Sequence, residues 1–354
     1  MPIYHPINDT IVSREEFLQT VKESQDVAQF AVGATTASGT SRAFADIGLS
    51  KPMNIVLRRV YTGSYPQKNL LNDKKPMLLT SALKDATTTS AGARAVNMLK
   101  KQVSPKSSFA GPAALEDGTN LLYYSPGVVS SLITVTVELV FQEFDQSLFT
   151  LISKLFTSLG NVPIFMPASG YLMGLSTVVQ LAGNVGQALV NGKPVLSESM
   201  LLDFSFGGGN IPVPGFWVFS ANPLDLATYS FDPARGLVNN STAKEYDGSE
   251  PYVVVSIDGT KQDGISSFTP LLASASILGQ FYNQKPGTEV VTDSLVTAVT
   301  LGSDLSYRKR ADRLRQTLST IQKDTADYDS TINQYNALLA NIQEPLLRPQ
   351  SPIA

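Results

Sequence analysis

The chain has no cysteine, one histidine and one tryptophan among 354 residues, and only 16% of it is charged. Without cysteine it has no disulfide framework, no thiolate zinc site and no cysteine nucleophile. Its single imidazole, His5, sits in the Pro-flanked start "MPIYHPINDT" and reads as an ordinary terminal residue. A Ser-His-Asp hydrolase or a histidine-ligated metal site is therefore not expected, since both need positioned imidazoles. With 27 Lys and Arg against 30 Asp and Glu the net charge is −3, so no overall field gathers nucleic acid or an anionic membrane. Aromatics are 8%, and Trp217 stands in a segment of alternating bulk, which predicts core packing rather than a sugar-stacking platform.

The polar motifs fail on spacing. "GNVGQALVNGKPV" resembles a phosphate loop, but Gly186 and Gly192 are one position too far apart and Pro194 follows Lys193 where a hydroxyl is needed. "FGGGN", residues 207–210 with the preceding Phe206, runs into "IPVPG", which cannot open a helix, so a turn between strands is expected. "SIDGTKQDG" holds Asp258 and Asp263, but Thr260 and Gln262 fill the alternate positions and the calcium-loop spacing is off by one. Glu245, Asp247 and Glu250 cluster in "AKEYDGSEP", which reads as a solvated loop. The sequons at Asn8, Asn239 and Asn240 are the chance triplets of a Ser/Thr-rich chain. No catalytic residue, cofactor or metal is assigned. A hydrolase acting through carboxylates alone remains an alternative, since sequence spacing cannot place two carboxylates across a cleft.

Hydrophobic periodicity carries more. In "SLITVTVELVF", Ile133, Val135, Val137 and Leu139 alternate with Thr134, Thr136 and Glu138, the pattern of a half-buried strand. "NIVLRRVYTG", "KPMLLTSALKD", "SMLLDFSF" and "PGFWVFSA" are further strands, and "PYVVVSIDG", apolar on both faces, belongs at the centre of a sheet. "SREEFLQTVKESQDVAQFA" opens on the capping box Ser13 and Glu16 and predicts a helix over 14–31. "AGARAVNMLKKQV", a segment near 146–192 and "ISSFTPLLASASILGQFYN" are read as helices. The fold class expected is α+β: an antiparallel β-sandwich, C2-like or jelly-roll-like in layout, with a helical insertion and a long C-terminal coiled-coil helix. The expected organisation is an N-terminal helix and connector over 1–45, the sandwich over 46–300, the coiled coil over 301–345 and a tail over 346–354.

No charge occurs from Leu155 to Gly192, a length that would cross a bilayer. Gly160, Pro163, Pro167 and Gly170 break its first half, and its second half is amphipathic and rich in amides, which favours a helix packed on the sheet over insertion into lipid. A membrane-interacting or pore-forming protein is the alternative this segment leaves open. The start lacks a basic n-region followed by an apolar core, so cytoplasmic residence is the expectation, with leaderless secretion open.

The longest regular signal lies near the C-terminus. Ala311, Leu314, Leu318, Ile321, Thr325, Tyr328, Ile332, Tyr335, Leu339 and Ile342 recur every three then four positions, the a/d seam of a coiled coil. One uninterrupted helix of roughly 45–50 Å is expected, ended by Pro345. Arg308, Lys309, Arg310, Arg313 and Arg315 crowd its start, which suits an acidic partner helix such as that of Glu15, Glu16, Glu23 and Asp26, whose own Phe17, Val21, Ser24, Ala28 and Ala31 repeat at like spacing. The two terminal helices are expected to pair within the chain, with pairing between chains as the rival. Residues Leu314, Leu318, Ile321, Tyr328, Ile332, Tyr335, Leu339 and Ile342 are the candidate partner-binding seam of a non-enzymatic interaction or assembly module. The partner is a protein or a second copy, not nucleic acid.

Overall fold

The computed structural model describes residues 3–7, 10–23, 34–35, 41–42, 44–66, 74–85, 94–112, 119–141, 164–166, 193–205, 212–262 and 289–349. It is mostly antiparallel β-structure with a few helices. In chain order the strands are β1 (Ile3–Ile7), β2 (Thr10–Ser13), β3 (Ala34–Thr35), β4 (Ser41–Arg42), β5 (Met53–Tyr61), β6 (Lys75–Asp85), β7 (Arg94–Val103), β8 (Ser108–Ala110), β9 (Leu121–Ser125) and β10 (Leu132–Phe141). They continue with β11 (Ile164–Met166), β12 (Leu196–Asp203), β13 (Gly215–Ser220), β14 (Tyr229–Asp232), β15 (Gly236–Asn239) and β16 (Tyr252–Asp258). The helices are α1 (Arg14–Glu23), α2 (Glu289–Leu318) and α3 (Ala326–Asn341), followed by a 3-10 turn at Pro345–Leu347.

A curled sheet of nine strands runs β15-β14-β2-β1-β13-β16-β5-β8, with β9 also paired to β5. The second sheet runs β11-β7-β6-β10-β12, and β3 and β4 form a small ribbon. The alternation in β10 sets its faces as the periodicity predicts: Ile133, Val135, Val137 and Leu139 are buried while Thr134, Thr136 and Glu138 are half-buried on the other side. Those four join Met77, Leu79, Met98, Met200 and Leu202 of the second sheet with Ile55, Leu57, Trp217, Phe219, Val253, Val255 and Ile257 of the first in one continuous core. β16 lies between β13 and β5 and all seven of its residues are buried. Val253, Val255 and Ile257 face the shared core, whereas Tyr252 and Val254 face a second cluster behind the sheet. Each such Val or Ile contributes about 1.5–3 kcal/mol by leaving water.

That second cluster is aromatic. Phe231 of β14 and Tyr246, beyond β15, cluster there with Tyr4, Tyr61 and Tyr252. Gly236 adopts φ +82°, and a Cβ there would stand 2.5 Å from the Tyr252 hydroxyl, so only glycine lets the hairpin close on the tyrosines. Burial pushes the Tyr246 and Tyr252 phenols up to about 12.

Four expectations change. "AGARAVNMLKKQV" yields strand β7, not a helix: its register with β6, from Lys75 opposite Val103 to Ala82 opposite Arg94, overrides the helix propensity of Ala, Arg and Lys. Residues 3–13 belong to the first sheet as β1 and β2, so the N-terminal segment does not merely flank the β-structure. The described part of the N-terminal helix, Arg14–Glu23, packs on β1 and β2, whereas pairing with the C-terminal seam is expected from the sequence. The uninterrupted C-terminal helix is two helices. Thr320 and Asp324 lie in the break, Asp324 at φ 64°, and the Thr325 hydroxyl accepts from the Tyr328 N–H to start α3 afresh. The remainder of the helix over 14–31, the insertion near 146–192 apart from β11, and "ISSFTPLLASASILGQFYN" lie outside the described residues.

Candidate interaction site at the C-terminal helical hairpin

A seam of period 3.5 specifies an apolar stripe but not its partner, and the break at 319–325 lets the stripe close on itself. Ala311 and Leu318 of α2 bury against Tyr335 and Leu338 of α3, with Leu314, Tyr328, Ile332 and Leu339 packed partly buried around them. Ile321 is half-buried in the turn, and Ile342 is fully buried at the end of α3. Of the predicted seam, the structure thus brings Leu314, Leu318, Tyr328, Ile332, Tyr335 and Leu339 into one intrachain cluster. The Tyr335 hydroxyl is buried and has no hydrogen-bond partner among the described residues.

The hairpin is riveted to the turn between β9 and β10 by groups that periodicity did not single out. Asn341, 2% exposed, donates through Nδ2 to the Gly127 carbonyl at 2.7 Å and to the Ala337 carbonyl at 2.8 Å, while its Oδ1 accepts from the Ser125 hydroxyl at 3.1 Å. Arg310 donates to the Val129 carbonyl at 2.7 Å. A small residue and an amide four positions apart, Ala337 and Asn341, were the available signal: neither suits a leucine seam, and both suit a close approach to backbone. Part of the basic run 308–315, in the second half of α2, is likewise used within the chain. Arg308 pairs with Asp312 at 2.9 Å and donates to the Leu347 carbonyl at 2.9 Å. Asp304, 1% exposed, accepts from the backbone N–H groups of Gln343 and Glu344 at 3.1 and 2.7 Å, which fixes the chain after α3 beside the middle of α2.

The remaining outer surface is charged and segregated. Lys309, Arg313 and Arg315 are exposed on α2, and Asp324, Asp327 and Asp329 are exposed at the break and the start of α3. At the opposite end two leucines face water, Leu305 at 46% and Leu346 at 89% exposure. The Asp304 and Arg308 hydrogen bonds hold the 343–347 turn against 304–308, so both leucines lie at the base of the hairpin.

Elsewhere, His5 is not an ordinary terminal side chain. Its ring is 2% exposed, stacked on Phe17 at 4.1 Å and edge-on to Trp217 at 4.1 Å. Burial, aided by the Arg14 cation, lowers its pKa to about 3. Trp217 packs in the core, as its strand position predicts. Asp258 Oδ1 accepts from the Ala45 N–H at 2.9 Å and from the Thr260 N–H and hydroxyl at 3.1 and 3.0 Å, which makes it a loop clamp. Asp263, residues 206–211 and Gly186 through Gly192 lie outside the described residues. Glu250 accepts from Asn222 at 2.6 Å in an exposed loop, and Asn239 accepts from the Ser241 and Thr242 N–H groups at 3.0 and 2.9 Å to close a turn. No group of three or more His, Asp or Glu side chains among the described residues is placed to hold a metal ion. Among them, too, no helix is long and apolar enough to cross a membrane, and 155–192 falls outside them apart from β11. Comparison with protein-family profiles and with curated proteins found no match.

Proposed function

We propose that the chain is a non-enzymatic interaction or assembly protein: a β-sandwich body carrying a C-terminal helical hairpin whose base engages a protein partner or a second copy. The core shared by the two sheets supports the sandwich reading. The observation that carries the functional reading is the exposure of Leu305 and Leu346. They are two of the three large hydrophobic side chains exposed among the described residues, and the third, Leu132, lies at the start of β10. The seam itself is consumed within the hairpin, so binding through it would require the hairpin to open. The outer surface at the base, rimmed by Lys309, offers an apolar contact with a charged border, the composition of an interface centre and rim.

Light scattering on the purified chain and on a Leu305→Asp/Leu346→Asp variant tests self-association, and pull-down with the same two proteins tests a separate partner. A native mass or a captured protein that the double variant loses supports the reading. A single-chain mass together with an identical captured set for both proteins overturns it.

A further inference from the structure

We propose that α1 is an acid-released plug, held over the gap between the two sheets by the neutral imidazole of His5 and let go when that ring takes up a proton. The placement comes from strand alternation. Ile3 belongs to the core shared by the sheets and Tyr4 to the aromatic cluster behind the first sheet, so His5, two residues on from Ile3, returns to the core side beside Trp217. Phe17 of α1 closes over the ring, itself 5% exposed and packed with Val213, Ile7 and Val12. One turn earlier, Arg14 donates through Nη2 to the Leu201 carbonyl at 3.4 Å. Leu201 lies on β12, which ends the second sheet and, among the described residues, pairs with β10 alone. The helix thus reaches from the first sheet to the outer strand of the second.

The groups around the ring decide the direction of the switch. From α1 the facing charge is Arg14, and Glu15 and Glu16 are exposed. β2 contributes Thr10, Ile11, Val12 and Ser13, and β13 contributes Trp217 between Phe216 and Val218, none of them ionisable in this range. On β12 the one inward carboxylate is Glu198, which shares the core-facing side of the strand with Leu196, Met200 and Leu202. An imidazolium here would lose its hydration and meet a like charge, and stacking on Phe17 returns only part of that loss. Protonation therefore favours the state in which the ring is outside. Because the docked ring ionises far below the free one, the docked state is fully favoured above about pH 6.5 and weakens as pH falls toward 3. Linkage gives about a hundredfold loss between pH 7.5 and 4.5. Release uncovers Trp217 and the edge of β12 that no described strand pairs, turning a covered margin into surface open to pairing.

Hydrogen exchange at pH 7.5 and 4.5, corrected for intrinsic rates, tests this. Protection over residues 14–23 is expected to fall about hundredfold at pH 4.5 while β6 and β10 keep theirs, and His5→Gln is expected to flatten the difference. Equal protection of 14–23 at both values, or parallel loss in β6 and β10, overturns the proposal. The wild type gives an independent reading should His5→Gln fail to fold, because the chain has one histidine and one tryptophan and they touch. A single imidazole NMR signal that stays neutral until 14–23 lose protection, with Trp217 emission changing in step, supports it. A ring that titrates near 6.5 with 14–23 still protected sinks it.

Discussion

Gly127, in the turn before β10, lies directly under Ala337 of α3: a Cβ on Gly127 would stand 2.8 Å from the Ala337 Cβ and 2.9 Å from its Cα. The two backbones approach there with only the Ala337 methyl at the contact, and the Asn341 hydrogen bond to the Gly127 carbonyl closes it. Gly127→Ala is expected to cost about 1–3 kcal/mol by overpacking. Ala337→Gly in the same chain should recover part of it, since the two sites share one contact. Urea unfolding of the two single variants and the double variant measures the coupling, and strict additivity would refute the shared contact.

Asp304 is buried among backbone donors from the far side of the hairpin. Asp304→Ala leaves the Gln343 and Glu344 N–H groups without their acceptor, which should cost about 1.5–3 kcal/mol, the scale of hydrogen bonds to a charged group. Asp327→Ala, at an exposed position in the first turn of α3, should change stability by less than about 1 kcal/mol. Thermal melts of both variants make the comparison, and equal shifts would count against the clamp.

Tyr335 brings a hydroxyl into the hairpin core and gives it no partner among the described residues. Tyr335→Phe keeps the ring and removes the unmet polar atom, so stability should hold or rise by up to about 1 kcal/mol. A loss above that range in denaturant unfolding would mean that the hydroxyl is bonded in solution.

Glu198 stands among Leu196, Met200 and Leu202 on the inward face of β12. Burial raises its pKa above the ordinary 4.5. A carboxyl that ionises higher in the folded chain than in the unfolded one is at its best below about 4.5 and loses stability as pH rises through its folded value. Glu198→Gln should therefore be more stable than wild type at pH 7.5, with the gap closing toward pH 4. Paired urea titrations at both values check the sign, and a gap that widens toward pH 4 would reverse it.

The readable and unreadable parts of the chain divide along physical lines. β10 and β16 were legible because burial on one face or on both leaves a direct mark on alternation, and reading them as strands needs no knowledge of distant segments. β7 was not: Arg94, Lys100 and Lys101 give it a helix-like composition, and what makes it a strand is β6, nine residues away. The His5 site was hidden for a related reason, since Phe17 and Trp217 meet the ring from 12 and 212 positions along the chain. The seam was legible as a stripe. Its breakage at Asp324 rested on local signals, a Ser-Thr pair at 319–320 and an Asp-Thr pair at 324–325, which periodicity counting passes over by scoring Thr325 as one more seam position.

The turn at 319–325 also has a use in engineering. Ser319, Thr320, Gln322, Lys323 and Asp324 all face solvent, and the turn stands about 15 Å along α3 from the Ala337 contact with the sheet. Foreign sequence spliced between Gln322 and Asp324 would leave both rivets and the tyrosine cluster untouched, so the tip is a ready port for an epitope, a fluorophore or a surface tether.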